Sequence, residues 1–401
     1  MLKLLMIADD STGALDSSIQ FASRNIPVRV YLRPSEEWDR SAEVLVINTD
    51  SRHLPGKEAG ELVRREVERG RREGARILFK KIDSALRGNL GSELAAMLSA
   101  EGGERLYLMP AYPAGGRTTR DGVQLWNGVP IAETVYGRDP FEPVHCSRVA
   151  GAVALQTDLP VAEVPAGRPA PRKGAGIFVL DASSDEELRG RCRELLDGPA
   201  PLLLGGCAGA ASALAECLYP GQAGSPVLPP AEKLLVVSGS LHTVSRGQMA
   251  RGRAEGIPCH TFQMDCELVQ GFAKSKAGLC LAREVAAELE RHGVVLLETE
   301  QSSFFPDCET SRRTAEVVDR ICREAGPTAL AVFGGDTLLE IAGLLLRPGI
   351  CPCREVVPGV PVSIAEDREG NLIPLVSKSG GFGPEDVIGR IASFLNINFQ
   401  P

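Results

Sequence analysis

The chain has 401 residues, of which 43% are hydrophobic and 24% are charged, and its formal net charge at pH 7 is −8. This length predicts two domains, and this composition is typical of a globular protein. The negative charge argues against a protein that depends on the phosphate backbone of a nucleic acid, and no apolar run approaches the roughly 18 residues that a membrane span needs.

Short runs rich in Leu, Val and Ile alternate with longer amphipathic stretches in the first half of the chain. This alternation is typical of β-α-β units in a mostly parallel sheet. The predicted strands cover residues 2–8, 28–32, 44–48, 76–82, 105–110, 177–181 and 201–204, and the predicted helices cover residues 12–23, 58–73, 91–100 and 184–196. We expect the stretch 157–176, which is rich in Pro, Ala and Gly, to be an exposed loop.

A second stretch rich in Pro and Gly, residues 219–233, predicts a linker between domains. Beyond it the alternation resumes, with strands predicted at 234–237, 330–333 and 372–376. We therefore predict an α/β fold of two domains, residues 1–220 and 233–401, each with a mostly parallel sheet flanked by helices. The amino end lacks the features of a signal peptide, and the 11 cysteines lack the spacing of a zinc site, so we expect free thiols and a cytoplasmic location.

Polar segments follow four predicted strands of the first domain, where open α/β sheets bind their ligands. They read DDSTGALD, TDSR, DSALRGN and AYPAGGRTTRDG. Each polar residue alone is explained equally well as a helix cap or a solvated loop residue, but their convergence favours a site. Arginine pairs with carboxylates while Asp and Ser bond hydroxyls, so the set suits a small hydroxylated anion. The candidates are Asp9, Asp10, Arg52, Lys81, Asp83, Ser84 and Arg87.

Three strand-to-helix turns in the second domain are rich in Gly, Ser and Thr. They read VVSGSLHTVSRGQ, GGDTLLEIAG and KSGGFGPEDV. Glycine lets the backbone approach a ligand closely, and a helix N-terminus offers unpaired N–H groups, so three such turns predict a polyphosphate site. None is a Walker A or a GxGxxG motif. In the first domain, the small residues of GGCAGAASALAE predict close packing of a helix on its strand rather than a phosphate site.

The chain resembles the four-carbon acid sugar kinase family over nearly its whole length. The segments IADDSTGALDSS, KKIDSALRGNLGSEL, VVSGSLHTVSRGQ, FGGDT and KSGGFGPED, and the long segment at residues 110–144, occur in the order of that family. The resemblance implies an N-terminal sugar-acid-binding domain, a C-terminal nucleotide-binding domain, and ATP-dependent phosphorylation of the terminal hydroxyl of an acid such as threonate, erythronate or 3-oxo-tetronate.

The resemblance also implies positions for both ligands. It places the substrate on Asp9 or Asp10, Arg52, Lys81, Ile82, Asp83 and Ser84. It places ATP on Ser238, Ser240, Gly334, Gly335, Asp336, Thr337, Gly380 and Gly381. The chain departs from the family at His242, where a small hydroxyl residue is common, and at Gly381, where asparagine is common.

Phosphoryl transfer needs an aligned hydroxyl, neutralised phosphate charge and a carboxylate that accepts the proton. We expect Arg52 and Lys81 to hold the carboxylate of the acid, and Asp10 or Asp83 to accept the proton. Because strand side chains alternate, one of Asp9 and Asp10 is expected to face the site while the other braces the turn or caps the next helix. We favour Asp10 as the base.

The nucleotide is expected to bind with Mg²⁺ held by Asp336, and the active site is expected in the cleft between the domains. Two alternatives stay open: a nucleotide-binding regulatory protein without catalysis, and a phosphotransferase or dehydrogenase that acts on a different small hydroxy acid. We expect a small-molecule substrate, no nucleic-acid or membrane partner, and leave a homo-oligomer open.

Overall fold

The computed structural model describes residues 2–139, 142–263, 272–300 and 307–399. The chain divides into two compact units, Met1–Ser225 and Pro226–Pro401. The division lies within the Pro- and Gly-rich stretch at residues 219–233. The predicted α/β architecture, two domains with mostly parallel sheets flanked by helices, is confirmed.

The first unit is built on a parallel sheet of eight strands. These strands are β1 Leu4–Ala8, β2 Val28–Tyr31, β3 Val44–Asn48, β4 Ile77–Lys81, β5 Arg105–Met109, β9 Val161–Val164, β10 Gly176–Leu180 and β11 Leu202–Gly206. Their order in the sheet is β2-β3-β1-β4-β11-β5-β10-β9. Three short strands form a separate antiparallel sheet: β6 Arg117–Arg120, β7 Val123–Trp126 and β8 Val129–Pro130. The helices are α1 Ser11–Ala22, α2 Gly56–Arg72, α3 Leu90–Glu101, α4 Val149–Ala154, α5 Asp185–Leu196 and α6 Ala208–Leu218.

The central strands β1, β3 and β4 are buried at every residue, which is why their sequences are near-continuous apolar runs. Leu5, Leu45 and Leu78 belong to one core that also contains Val67 of α2 and Leu94 of α3. The strands are parallel, so the residues that follow β1, β3 and β4 all emerge at the same edge of the sheet.

The prediction of an exposed loop at 157–176 is wrong in part, because β9 pairs there with β10 at the edge of the sheet. This strand has only four residues and lies between Pro160 and Pro165. Short strands flanked by proline are tolerated at edges, where a donor can be missing from one side of the ladder. The proline-rich composition therefore concealed a strand.

The second unit contains a mixed sheet of seven strands. They are β12 Leu234–Ser238, β13 Cys259–Gln263, β14 Val294–Glu300, β15 Ala329–Phe333, β16 Cys351–Val357, β17 Val360–Glu366 and β18 Leu372–Lys378. Their order is β13-β14-β12-β15-β18-β17-β16, and only the pairings of β17 are antiparallel. The helices are α7 Thr243–Ala254, α8 Lys276–His292, α9 Asp307–Ala325, α10 Gly335–Leu345 and α11 Val387–Phe394. The three glycine-rich turns predicted from the sequence follow β12, β15 and β18, which are neighbours in the sheet.

Candidate active site

The turn from β1 to α1 places two aspartates at the carboxyl edge of the first sheet. Asp10 is the N-cap of α1, and its Oδ1 accepts a hydrogen bond of 3.1 Å from Gly13 N. Asp9 is buried, with a side chain that is 3% exposed, while the side chain of Asp10 is 26% exposed. The sequence was interpreted as placing the base and the cap on different members of this pair, with Asp10 as the base, but Asp10 is the cap and its side chain also stays open to solvent.

Arg52, in the loop after β3, joins these two carboxylates. Its Nε lies 2.7 Å from Asp9 Oδ2, and its Nη2 lies 2.9 Å from Asp10 Oδ1. Asn89 fixes this loop, because its Nδ2 donates to the carbonyl oxygens of Ser51 at 2.9 Å and Leu54 at 2.8 Å. Sequence reasoning did not select Asn89, although the quoted segment DSALRGN ends on it.

Asp9 is ionised in spite of its burial. Burial by itself raises the pKa of this carboxyl, but the charges of Arg52, Lys80 and Lys81 together hold the pKa below its ordinary value. Its Oδ1 is buried and has no hydrogen-bond partner within the described residues. A buried carboxylate oxygen without a hydrogen-bond donor is costly in free energy. A ligand hydroxyl that donates to Asp9 Oδ1 would therefore remove this cost.

Lys81, the last residue of β4, is buried beside Asp10. Its Nζ donates to Ile82 O at 2.9 Å. Burial alone lowers the pKa of Lys81, but the charges of Asp10 and Asp9 raise it above the ordinary value. A Cβ added at Gly13 would lie 2.5 Å from Lys81 Nζ and 2.5 Å from Asp10 Oδ1, so only glycine fits between these two groups.

The turn after β4 contributes a second ion pair. Arg87 binds both oxygens of Asp83, at 2.9 and 3.2 Å, and its Nη1 lies 3.1 Å from Asp139, which sequence reasoning missed. Burial by itself raises the pKa of Asp83, but Arg52 and Arg87 hold it well below its ordinary value. These residues form what we call the charged cluster: Asp9, Asp10, Arg52, Lys81, Asp83 and Arg87.

Two predicted ligands in this turn lie differently from the rest. The side chain of Ile82 is buried in the core, so only its backbone can face a ligand. The carbonyl of Ser84 accepts a hydrogen bond of 2.9 Å from Gln124 Nε2 of β7. The small antiparallel sheet thus braces the turn that carries Asp83 and Ser84, a role that the sequence did not reveal.

A buried ion pair lies beneath the charged cluster. Lys80 Nζ is 3.0 Å from Glu93 Oε2 of α3, and both side chains are almost fully buried. Ser51 Oγ also donates to Glu93 Oε1, which ties the loop of Arg52 to α3. The sequence signal for this pair was two adjacent lysines at the end of an apolar strand. Because neighbouring side chains of a strand point to opposite faces, a strand that is covered on both faces buries both lysines.

In the second unit, hydrogen bonds join the three glycine-rich turns. Gly239 N donates to Phe333 O at 3.1 Å, and Gly334 N donates to Lys378 O at 3.0 Å. Gly239 also packs against Thr337, leaving no room for a side chain. We call these turns, residues 238–242, 334–337 and 379–383, the glycine cradle. It contains all the predicted ATP ligands: Ser238, Ser240, Gly334, Gly335, Asp336, Thr337, Gly380 and Gly381.

The positions of these residues within the glycine cradle fit an anion site. Gly334 has a φ of 122°, a conformation that other residues rarely adopt, and precedes α10 directly. Gly335 and Asp336 begin that helix, so its unpaired N–H groups point out of the turn. Asp336 is exposed, whereas Thr337 is buried. Beside the turn after β12 lies a cavity of about 540 Å³, lined in part by Ser238, Ser240, Arg246 and Arg253.

The two departures from the family pattern are in contact. A Cβ added at Gly381 would lie 3.3 Å from His242 Nε2, so the imidazole occupies the space beside this glycine. His242 also caps α7, because its Nδ1 accepts a hydrogen bond of 3.2 Å from Val244 N. His242 therefore caps α7 and also fills the space beside Gly381.

The GGCAG segment of the first unit packs as predicted. A Cβ added at Gly206 would lie 2.6 Å from Ala210 Cβ, and one added at Gly209 would lie 2.5 Å from Ala111 O. Close approach of α6 to the sheet thus explains these glycines. In the described ranges, no three His, Cys, Asp or Glu residues are grouped as a metal site. Among the described helices, none is both long and apolar enough to cross a membrane.

Comparison with known families covers both units. Residues 4–214 match the model of a sugar-binding N-terminal domain, and residues 235–388 match that of a nucleotide-binding C-terminal domain. The D-threonate kinase of Salmonella typhimurium is 32% identical over 96% of this chain and 97% of its own length. The D-erythronate kinase of Heliobacterium modesticaldum is 26% identical over 98% of this chain and 97% of its own. The 3-oxo-tetronate kinase of Salmonella typhimurium is 25% identical over 97% and 98%, respectively.

Solved structures show the same fold. A Salmonella typhimurium protein described as a putative tRNA synthase matches with a TM-score of 0.81 and 23% identity over 100% of both chains, which is a likeness of fold alone. A domain of unknown function from Bordetella bronchiseptica, crystallised with citrate as a domain-swapped dimer, is 28% identical with a TM-score of 0.50, over 99% of this chain and 100% of its own. The family models and the kinase relatives together show that this chain belongs to the four-carbon acid sugar kinase family.

Proposed function

We propose that this protein transfers the γ-phosphoryl group of ATP to the terminal hydroxyl of a four-carbon sugar acid such as threonate, erythronate or 3-oxo-tetronate. The acid binds at the charged cluster and ATP binds at the glycine cradle. The observation that carries the proposal is the charged cluster, in which Arg52 joins Asp9 to Asp10, Arg87 pairs with Asp83, and Asp9 Oδ1 has no hydrogen-bond partner among the described residues. A regulatory protein that binds only a nucleotide does not require a second cluster of charged side chains for an acid substrate.

The carboxylate of the acid is proposed to bind Arg52 and Lys81. Arg52 uses Nε and Nη2 on the two aspartates, which leaves Nη1 for the ligand. Among the described residues, Lys81 Nζ donates one hydrogen bond, to Ile82 O, and an ammonium has three donors. Asp9 Oδ1 then accepts a hydrogen bond from a hydroxyl of the acid. Citrate, a hydroxylated acid, is bound in the Bordetella bronchiseptica relative, which supports a site for such ligands.

Asp10 is the proposed proton acceptor. Its Oδ1 is engaged by Arg52 and by the N-terminus of α1, but Oδ2 is outside these bonds and the side chain is 26% exposed. Asp83 suits the role less, because Arg87 binds both of its oxygens and the neighbouring arginines lower its pKa. A carboxylate with a lowered pKa is a weaker base.

ATP is proposed to bind with its phosphates on the N–H groups of the glycine cradle and with Mg²⁺ at Asp336. Magnesium typically uses one or two carboxylates together with phosphate oxygens and water, so a single exposed aspartate at the start of α10 fits this ion. The ion would neutralise phosphate charge during transfer. Direct transfer requires the hydroxyl of the acid to reach the γ-phosphate of ATP.

A panel of four-carbon acids tests the function. The full chain should release ADP from ATP and Mg²⁺ in the presence of at least one of threonate, erythronate and 3-oxo-tetronate, with one phosphate ester formed for each ADP. The same acids with NAD should give no NADH. ADP release that does not depend on any acid, or NADH formation, would contradict the proposal.

A further inference from the structure

Lys378, the last residue of β18, is buried next to the glycine cradle and has no role in the site described so far. The residue is 2% exposed. Its Nζ donates to Ser245 Oγ at 2.9 Å, to Ser379 O at 3.0 Å and to Gly380 O at 3.1 Å. It also lies 4.7 Å from the centroid of the Phe333 ring. All three N–H donors of the ammonium are therefore bonded, two to the turn after β18 and one to Ser245 of α7.

No carboxylate offsets this charge within the part of the chain that the structure describes. Buried lysines are rare unless they are paired, and burial lowers the pKa of Lys378 to about 8. The titratable and charged residues on the neighbouring elements are His242 and Arg246 near the start of α7, Asp336 at the start of α10, and Glu385 and Asp386 after the turn. Burial is the cause of the lowered pKa, and none of these groups forms an ion pair with Lys378 among the described residues.

The hydrogen bonds of Lys378 set the orientation of two peptide groups. In a trans peptide the C=O of one residue and the N–H of the next point in opposite directions. Lys378 holds the carbonyls of Ser379 and Gly380 inward, and Ser245 Oγ donates to Gly380 O as well. The N–H groups of Gly380 and Gly381 are thereby turned away from the lysine.

The rest of the turn is held in the same way. Gln248 Nε2 of α7 donates to Phe382 O and Gly383 O, both at 3.0 Å. Gly380 also has no room for a side chain, because an added Cβ would lie 2.8 Å from Ser240 Oγ. The inner side of the turn is thus a set of fixed carbonyls, and the N–H groups of Gly380 and Gly381 are oriented before any ligand arrives.

We propose that Lys378 is a positioning residue whose ammonium turns the Gly380 and Gly381 N–H groups toward the phosphates of the nucleotide, and that nucleotide binding keeps this lysine protonated. The inference rests on the proposed function, because it needs a nucleotide at this turn. Phosphate charge would offset the ammonium that no carboxylate offsets. The protonated form should therefore bind more tightly than the neutral form, and binding should raise the pKa of the lysine.

Calorimetric titration of the full chain with ADP and Mg²⁺ tests this coupling. Phosphate groups with a pKa of about 6 are already ionised above about pH 7.5, so a proton taken up from the buffer there binds to the protein and not to the nucleotide. At about pH 8.5, heats measured in buffers of different ionisation enthalpy should show uptake of most of one proton. The association constant should fall between about pH 8 and pH 9.5, by up to about tenfold per pH unit.

Lys378→Met should bind ADP at least about tenfold more weakly near pH 7 and take up no proton. The matched control is Lys276→Met, which removes an exposed lysine of the same unit and should behave as the wild type. The wild-type measurement can still overturn the proposal if Lys378→Met fails to fold, because ADP binding must be accompanied by proton uptake. ADP binding without proton uptake, or equal uptake by Lys378→Met, would overturn the role of Lys378 and leave the proposed function standing. Failure of the wild type to bind ADP or ATP at any pH would instead overturn the proposed function.

Discussion

Replacing Gly13 with alanine tests whether the charged cluster is the substrate site. The added methyl group would lie 2.5 Å from both Asp10 Oδ1 and Lys81 Nζ, whereas ordinary contact begins at 3.4 Å. One or both groups must therefore move by about 1 Å in a closely packed region. A displacement of about 1 Å at a site of reaction costs about 100-fold in rate, so kcat/KM for the sugar acid should fall by that factor.

A measurement of the free energy of unfolding distinguishes a loss of kcat/KM caused by a displaced side chain from one caused by unfolding of the protein. Alanine favours a helix over glycine by up to about 1 kcal/mol, and overpacking costs about 1 to 3 kcal/mol. The free energy of unfolding of Gly13→Ala should therefore change by no more than about 2 kcal/mol. Gly190→Ala is the matched control, because Gly190 lies exposed in α5 of the same unit with nothing within 4 Å of an added Cβ. It should be slightly stabilised and fully active.

The assay is release of ADP at varied concentrations of the acid, with urea unfolding followed by circular dichroism on the same preparations. If Gly13→Ala keeps kcat/KM within about twofold of wild type and gains stability like Gly190→Ala, the charged cluster is not the substrate site. That result would mean that the contacts of Asp10 and Lys81 are unimportant for the reaction.

Three further outcomes follow from the charged cluster. Arg52→Met removes a partner of the buried Asp9, so the free energy of unfolding should fall by about 3 to 5 kcal/mol. Adding Asp9→Asn to Arg52→Met should restore part of this loss of stability. Urea unfolding of the two single variants and the double variant measures the coupling energy between Arg52 and Asp9. Burial alone raises the pKa of Asp9 and Asp83, but the neighbouring cations hold it below its ordinary value. Their carboxylates therefore stabilise the fold fully above about pH 5 and lose this contribution as the pH falls toward about 2. Urea unfolding of wild type and Asp9→Asn should show a difference in the free energy of unfolding that shrinks between about pH 5 and pH 2, and a difference that stays constant would contradict this expectation. Asp10→Asn should lower kcat by about 10² to 10⁴ with little change in the acid's KM, whereas a loss of kcat in Asp83→Asn alone would move the base to the turn after β4.

The sequence predicted the strands that matter most for the site because their physical signal is local. β1, β3 and β4 are buried apolar runs, and polar residues begin where each run ends. The short strand β9 was missed because its flanking prolines resemble a loop. The antiparallel strands β6 to β8 were missed because they are short and lie in a polar segment that lacks an apolar run.

Partners in space were not predictable from the sequence alone. Asn89 holds the loop of Arg52 through backbone carbonyls, and nothing local marks that contact. The pairing of Lys80 with Glu93 joins a strand to a helix that only the fold brings together. Lys378 begins the segment KSGGFG, but its burial depends on β15 and α7, which only the fold brings next to it.

Calorimetric titration of two glycine variants tests most directly whether the charged cluster binds the sugar acid and the glycine cradle binds the nucleotide. An added Cβ at Gly380 would lie 2.7 Å from His242 Cβ, so Gly380→Ala should disturb the cradle as Gly13→Ala disturbs the cluster. Gly389→Ala in α11, with nothing within 4 Å of its added Cβ, is the control for the second unit.

Gly13→Ala should weaken binding of the sugar acid at least about tenfold and leave ADP binding unchanged, since about 1.4 kcal/mol of misfit gives that factor. Gly380→Ala should do the reverse, and both control variants should bind both ligands as the wild type does. Weakened ADP binding by Gly13→Ala with the acid unaffected, or unchanged ADP binding by Gly380→Ala, would contradict the assignment of the two sites.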